Sequence, residues 1–265
     1  MSGDSFRAIA GYRLEPGSQF DPAAVRLGEI VFVQASELEN FAAHVLPLIQ
    51  EPFILITHNG DVNIDDSFGE LASERRIIRW FAQNALLRHP KVTAIPIGLE
   101  NRNLHYNGVV RDFRRLMRGR GSKEKRILYA FSVETNRKER SAALAALRAS
   151  DLAEGFERVN SRTYRKRLVR YAFVASPPGN GVDCHRTWEA LYLRVIPVVR
   201  RSAFYEFFPN LPVLALDDWS EIAKWDESFL VRVHDRLSSQ LDSIPYLRFD
   251  YWESLIAGAR EEQLS

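Results

Sequence analysis

Cysteine is nearly absent: Cys184 is the single one in 265 residues. That excludes an internal disulfide framework and any cysteine-based zinc site, and it suits a reducing compartment. Long hydrophobic runs are missing too. Segments such as 30–33 and 53–56 hold four apolar residues each, far short of the roughly 20 that a membrane-spanning helix needs. Residues 1–11 have neither a basic start nor an apolar stretch, so no secretory signal is read there. Internal repeats and low-complexity tracts are lacking. A soluble, cytoplasmic protein is the expectation.

What is present fits a globular chain. Hydrophobic residues make up 46% and charged residues 26%, which excludes disordered, fibrous and coiled-coil classes. The length allows one or two domains. The net charge of +2 hides an asymmetry. Residues 215–265 carry 11 acidic and 5 basic residues, a net of −6, which leaves +8 for residues 1–214. A basic body points to an anionic partner: phosphate, nucleotide, nucleic acid or a lipid surface. The plain alternative is an arginine-rich solvated surface.

Short apolar strands alternate with amphipathic helices. Strands are predicted over 29–33, 52–57 and 92–97, with helices over 36–49 and 73–87. The run at 53–56 lacks alternation, as a strand buried on both faces does. Residues 111–126 then hold eight Lys or Arg in sixteen, broken by Gly119 and Gly121. A helix followed by a linker is predicted there, with the domain boundary near Gly121. Beyond it, strands are predicted over 126–131, 171–176, 196–199 and 213–216. Helices are predicted over 137–149, 164–170 and 183–194, and a mostly helical, acidic tail from 219. Such alternation implies parallel sheets with right-handed crossovers. Two blocks separated by a linker imply an α/β protein of two Rossmann-like domains facing a cleft, with ligands at the carboxyl ends of the strands. The predicted division is 1–121, 122–218 and C-terminal helices over 219–265 that pack back on the first domain.

The richest stretch runs Pro177-Pro178-Gly179-Asn180-Gly181-Val182-Asp183-Cys184-His185-Arg186-Thr187-Trp188-Glu189. It follows a buried strand and opens a helix. Gly179 and Gly181 let the backbone approach a ligand, and Asn180 lies between them. Asp183 is a good helix N-cap, which leaves free N–H groups and the positive dipole end facing the loop. Arg186 offers a fork for a diphosphate. Glu189, three residues on, suits ribose hydroxyls. The plain alternative is a strand-turn-helix with a surface Arg186–Glu189 pair. Asp183, His185 and Glu189 could also converge on a metal, but the glycine-rich loop and Arg186 fit a diphosphate better. No Asp-x-Asp occurs in the chain, so no metal and no separate cofactor is expected.

This stretch, with Ala190-Leu191-Tyr192-Leu193 and Ile196-Pro197-Val198-Val199 after it, resembles the exostosin-like glycosyltransferases. Phe131-Ser132-Val133-Glu134-Thr135-Asn136-Arg137-Lys138-Glu139-Arg140 is similar to the family's first strand-loop-helix of the nucleotide-binding domain. Ile95-Pro96-Ile97-Gly98-Leu99-Glu100 is similar to the last strand of its acceptor domain. Arg194 departs from the pattern, because the family usually has glycine there. The resemblance implies a GT-B fold, a nucleotide-sugar donor and no bound metal. On that reading the chain is an inverting hexosyltransferase of polysaccharide biosynthesis acting on a saccharide or lipid-linked hydroxyl.

Asn136 and Arg137 end a predicted strand and open a helix, where a second phosphate ligand would sit. The plain alternative is a solvated helix start. Inverting transfer to a hydroxyl needs a base on the acceptor side. His58 and Asp61, in His58-Asn59-Gly60-Asp61 after a buried strand, are the candidates. Asp65 and Asp66 stand in reserve, and His105 is a further loop candidate. The plain alternative is an Asn-Gly turn with a capping Asp. Aromatics are sparse in the basic clusters 111–126 and 158–170, so a stacking platform for nucleic acid is not expected. Docking at a membrane surface, on the inner face, is a further expectation, since acceptors of such enzymes are often lipid-linked. The competing readings are a GT-B-shaped epimerase or hydrolase, a non-catalytic nucleotide-binding protein and a basic nucleic-acid module.

Overall fold

The computed structural model describes residues 1–102, 108–117, 119, 121–157 and 159–264. It contains two compact units. The first comprises residues 1–97, 181–183 and 248–265, and the second 98–180 and 184–247.

The first unit holds one parallel sheet whose strand order follows the chain: β1 (Tyr12–Leu14), β2 (Ile30–Gln34), β3 (Phe53–His58), β4 (Ile77–Ala82) and β5 (Val92–Ala94). β3 is buried over its whole length, which its unbroken apolar run anticipates. Helices α1 (Gly3–Ala8) and α10 (Phe249–Leu264) pack on the sheet, α1 against β3 and α10 against β3 and β4. The short helices α2 (Leu38–Asn40) and α3 (Gly69–Ser73) complete this unit.

Two predicted elements differ here. The segment 73–87 is not a helix: Ile77–Ala82 is strand β4, paired in parallel with β3 and β5. Ile77, Trp80, Phe81 and Ala82 are buried. A strand buried on both faces has no period to read, and its apolar residues mimic a helical face. The predicted helix 36–49 is instead a chain of short turns: Ala35–Glu37, α2, a π-helical Phe41–Val45 and Leu46–Leu48. Pro47 cannot donate to a regular ladder, while the irregular turns still bury Leu38, Phe41, Leu46 and Ile49.

The second unit holds β6 (Glu124–Tyr129), β7 (Ala153–Gly155), β8 (Tyr171–Ala175), β9 (Ile196–Arg200) and β10 (Leu214–Leu216) in the order β10-β9-β8-β6-β7, all parallel. The chain runs from β6 outward to β7, then returns to the other side of β6 for β8. The order therefore reverses at β6/β8, which makes a crevice at the carboxyl ends of these strands. The helices are α4 (Val110–Met117), α5 (Arg137–Arg148), α6 (Ser161–Leu168), α7 (His185–Tyr192), α8 (Ala203–Glu206) and α9 (Glu227–Ser238).

The units divide at Ile97–Gly98, whereas composition suggested Gly121. The reason is α4. Its Phe113 joins the core of the second unit with Leu128, Leu168, Val174 and Val195, so the basic segment is an integral helix of that unit. The tail also divides: α9 belongs to the second unit and α10 to the first.

Arg194 takes the place where a glycine was expected, and its φ of 55° is left-handed. The Val195 N–H reaches back to the Ala190 carbonyl (2.9 Å), closing α7. Arg194 also pairs with Asp242 at 2.7 Å, a largely exposed contact. An L-residue in this region costs about 1 kcal/mol or more. Arg194→Gly is therefore expected to raise the melting temperature by about 2–4 °C. An unchanged or lower value in a calorimetric scan would mean that the Asp242 pair outweighs the backbone strain.

Candidate functional site

The crevice of the second unit contains a cavity of about 670 Å³. Ala130, Phe131 and Ser132 line it just beyond the carboxyl end of β6, and His185, Arg186 and Glu189 line it from the first turns of α7. The positive end of the α7 dipole lies on this side. Glu100 and Tyr164 complete its polar lining.

Arg186 Nη1 is buried and has no hydrogen-bond partner among the described residues. Its guanidinium carbon lies 5.8 Å from the centre of the Phe131 ring. A buried guanidinium nitrogen without a partner is costly unless an anion meets it. Glu189 is nearly fully buried, and burial pushes its carboxyl up to about 7, against the opposing pull of Arg165 and Arg186. His185 Nδ1–H donates to the Gly98 carbonyl (2.7 Å), and its Nε2 lies 3.7 Å from a Glu100 carboxylate oxygen. Burial also raises the Tyr164 phenol, with the Arg186 charge partly opposing.

The raised Glu189 carboxyl has a checkable consequence. Folding favours its neutral form, so its contribution is fully present below about pH 4.5 and is lost as pH rises through about 7. Glu189→Gln removes the ionisation. Its stability relative to wild type is expected to improve by roughly 2–3 kcal/mol between pH 5 and pH 8. Denaturant melts of both proteins at the two pH values test this, and parallel pH dependence would refute it.

The remaining donor-loop candidates do not line the cavity. Asn136 caps α5 by accepting from the Glu139 N–H (3.3 Å) and donates to the Gly179 carbonyl (2.9 Å). Arg137 is exposed and pairs with Glu134. Arg140 is buried and straps the loop. Its Nε donates to the Pro178 carbonyl (2.9 Å) and its Nη1 to the Ser132 carbonyl (2.8 Å). A side chain on Gly179 would press on Arg140, with Cβ 3.1 Å from Nη2. Asn180 is exposed.

Gly181 and Asp183 belong to the first unit. Asp183 is not the N-cap of α7: that position is Cys184, which makes no side-chain cap bond. The Asp183 carboxylate instead accepts from the Ile97 N–H (2.8 Å), and its own N–H donates to Asn84 Oδ1 (3.0 Å). The Val182 N–H donates to Asn63 Oδ1 (2.9 Å). A Cβ on Gly181 would sit 2.5 Å from Asn84 Nδ2, so packing against Asn84 explains that glycine. Among the described residues no group of three or more His, Cys, Asp or Glu is placed to hold a metal ion.

In the first unit, His58 is buried and stacks on Phe6. Its Nδ1 accepts from the Asn59 N–H (2.7 Å), so Nε2–H donates to the Pro96 carbonyl (3.2 Å). Both ring nitrogens are committed to structure. Asn59 is left-handed at φ 59°, and the Gly60 carbonyl accepts from Gln83 (2.7 Å) and Asn84 (3.3 Å). This fixed turn leads to the exposed Asp61. Asp65 caps its own turn through Ser67, which holds its carboxyl below the usual range, and Asp66 is exposed. His105 lies outside the described residues. Gln83 and Asn84 escaped the sequence reading because they sit inside the mistaken 73–87 helix.

No protein-family model matches this chain, and no curated protein matches it in sequence. Among solved structures, apo OtsA is similar with a TM-score of 0.52 and 10% identity, over 88% of this chain and 73% of that one. An α,α-trehalose-phosphate synthase (UDP-forming) from Burkholderia vietnamiensis is similar with a TM-score of 0.50 and 13% identity, over 90% and 76%. With the two parallel Rossmann-like sheets, these likenesses define a GT-B fold. Among the described residues, no helix is long and apolar enough to cross a membrane.

Proposed function

We propose that this chain is a metal-independent, inverting glycosyltransferase of the exostosin-like kind. In this reading the second unit holds a nucleotide-sugar, and the sugar passes to a hydroxyl of a saccharide or lipid-linked acceptor at the cytoplasmic face of a membrane. The observation that carries the reading is the unpartnered Arg186 Nη1 in a cavity at the point where the strand order of the second unit reverses.

In this mechanism Arg186 and the N-terminus of α7 take up the charge that grows on the departing nucleoside diphosphate. Glu189, in its ionised form, accepts hydrogen bonds from ribose hydroxyls. Phe131 gives the cavity an apolar wall. The loop 177–180, held by Asn136 and Arg140, keeps α7 in register with the carboxyl end of β6. Asp61 removes the proton from the acceptor hydroxyl, and His58 holds the turn that presents it.

The test is a thermal-shift series with nucleoside diphosphates in the presence and absence of chelator. Stabilisation by at least one of them is expected, unchanged by chelator. A ligand at a hundredfold its dissociation constant adds about 2.7 kcal/mol. Loss of the shift in chelator would sink the metal-free mechanism, and no shift with any of them would sink the donor assignment. The His185–Glu100 approach favours a second reading, an acceptor-independent hydrolase or epimerase, because it puts an acid–base pair in the donor cavity itself. Release of nucleotide or an epimerised sugar without acceptor would select it.

A further inference from the structure

Two stretches of basic residues far apart in sequence, within 111–126 and 158–170, come together in the second unit. Helices α4 and α6 bring them to a cavity of about 400 Å³ that the donor reading does not use. Arg115, Arg162, Lys166 and Arg170 line it, all exposed. The acidic groups facing them are few. Asp112 lines the cavity, but its carboxylate is engaged by the buried Arg165 (3.2 Å), which lies over the Phe113 ring. Glu124 pairs with Arg170 at 3.2 Å in a largely exposed contact. Arg115, Arg162 and Lys166 have no carboxylate partner among the described residues.

Cations that merely solubilise a surface spread apart, because like charges repel. Here one ion pair fixes α6 against α4, and the surplus positive charge stays gathered around a concave surface. Leu116 and Val169 give that surface an apolar floor along which the arginine stems can lie. Its volume is that of a small-molecule site. Helix α6 separates it from the donor cavity: Ser161 and Tyr164 face the one, and Arg162 and Lys166 the other.

We propose that this cavity is a second anion site, which binds a ligand carrying clustered phosphate groups, independent of the nucleotide. Guanidinium forks from two helices match phosphate oxygens bidentately, and Lys166 adds a point charge. The ligand is a soluble polyphosphorylated metabolite or the headgroup of an anionic lipid, which share this chemistry.

The experiment is titration calorimetry of the full chain with inorganic tripolyphosphate. Three proteins are compared: wild type, Arg186→Ala and the double variant Arg162→Ala/Lys166→Ala. Binding to wild type is expected, weakened by added salt; a site of the same affinity is retained in Arg186→Ala, which removes only a second binding event at the donor cavity. The double variant, in which both replaced side chains are exposed, should keep its melting temperature and lose about tenfold or more in affinity. Co-sedimentation with vesicles containing cardiolipin, whose headgroup carries two phosphates, separates the sources. Pelleting that tripolyphosphate competes away and the double variant lacks assigns a lipid headgroup. Tripolyphosphate binding without pelleting assigns a soluble ligand. No binding, equal binding by the double variant, or loss in Arg186→Ala instead would each overturn the proposal. So would binding of single-stranded RNA without tripolyphosphate binding. A failed nucleotide shift would leave this result standing, because the variants are on opposite sides of α6.

Discussion

Asp61→Asn is expected to lower acceptor-dependent turnover by roughly 10²–10⁴, the usual worth of a positioned general base. The nucleophile in the proposed reaction is a hydroxyl, which reacts poorly until its proton is taken. Asp61 follows β3 and a left-handed Asn59 whose succeeding carbonyl is held by Gln83 and Asn84. The backbone that carries the carboxylate is therefore fixed while the carboxylate itself is exposed. His58, the other candidate, already uses Nδ1 for Asn59 and Nε2 for Pro96. The Asn substitution keeps size and polarity, so nucleotide binding and melting temperature should hold. Single-turnover rates at saturating donor read the effect directly. Near wild-type turnover would move the role to Asp65 or Asp66. If variants at all of these positions keep their rate, this loop supplies no base.

Arg186→Ala is expected to weaken nucleoside diphosphate binding by about 1.5–3 kcal/mol, some tenfold to 150-fold, as a charge-assisted hydrogen bond does when removed. The matching nucleoside, which lacks the diphosphate, should bind almost as before. The difference follows from what Arg186 lacks: a protein partner for Nη1. A side chain that only held α7 in place would already be paired with it. Calorimetric titration of wild type and variant with both ligands separates these roles. Equal losses for nucleoside and diphosphate would make Arg186 structural.

The second unit was the more legible half. Each of its cassettes is local: an apolar run, a loop of small or polar residues, then an amphipathic helix. β6 with α5, and β8 with α7 and β9, appear within a residue or two of their predicted positions. Arg186 and Glu189 follow from the same locality, because a spacing of three on a helix already puts them on one face. The first unit was read less well. The segment 77–82 alternates neither as a strand nor cleanly as a helix, and its identity depends on hydrogen bonds to β3 and β5. Misreading it hid Gln83 and Asn84, the two side chains that hold the Asn59–Gly60 turn.

By itself the sequence determined the class of architecture, the glycine-rich entry to α7 and the placing of Arg186 and Glu189 in its first turns. These depend on chain neighbours, whose geometry is set by short-range sterics and hydrogen bonding. The tertiary structure alone decided which polar groups were already spent. Asp183 reads as a helix cap from its neighbours, yet its carboxylate accepts from Ile97, 86 residues away. Asn136 reads as a phosphate ligand, yet its side chain also caps α5 and donates to the Gly179 carbonyl. The reversal of strand order at β6/β8 and the meeting of two basic stretches across α4 and α6 are likewise invisible along the chain. A hydrogen-bonding group can be satisfied by any partner that packing brings near, and no local pattern records which one arrives.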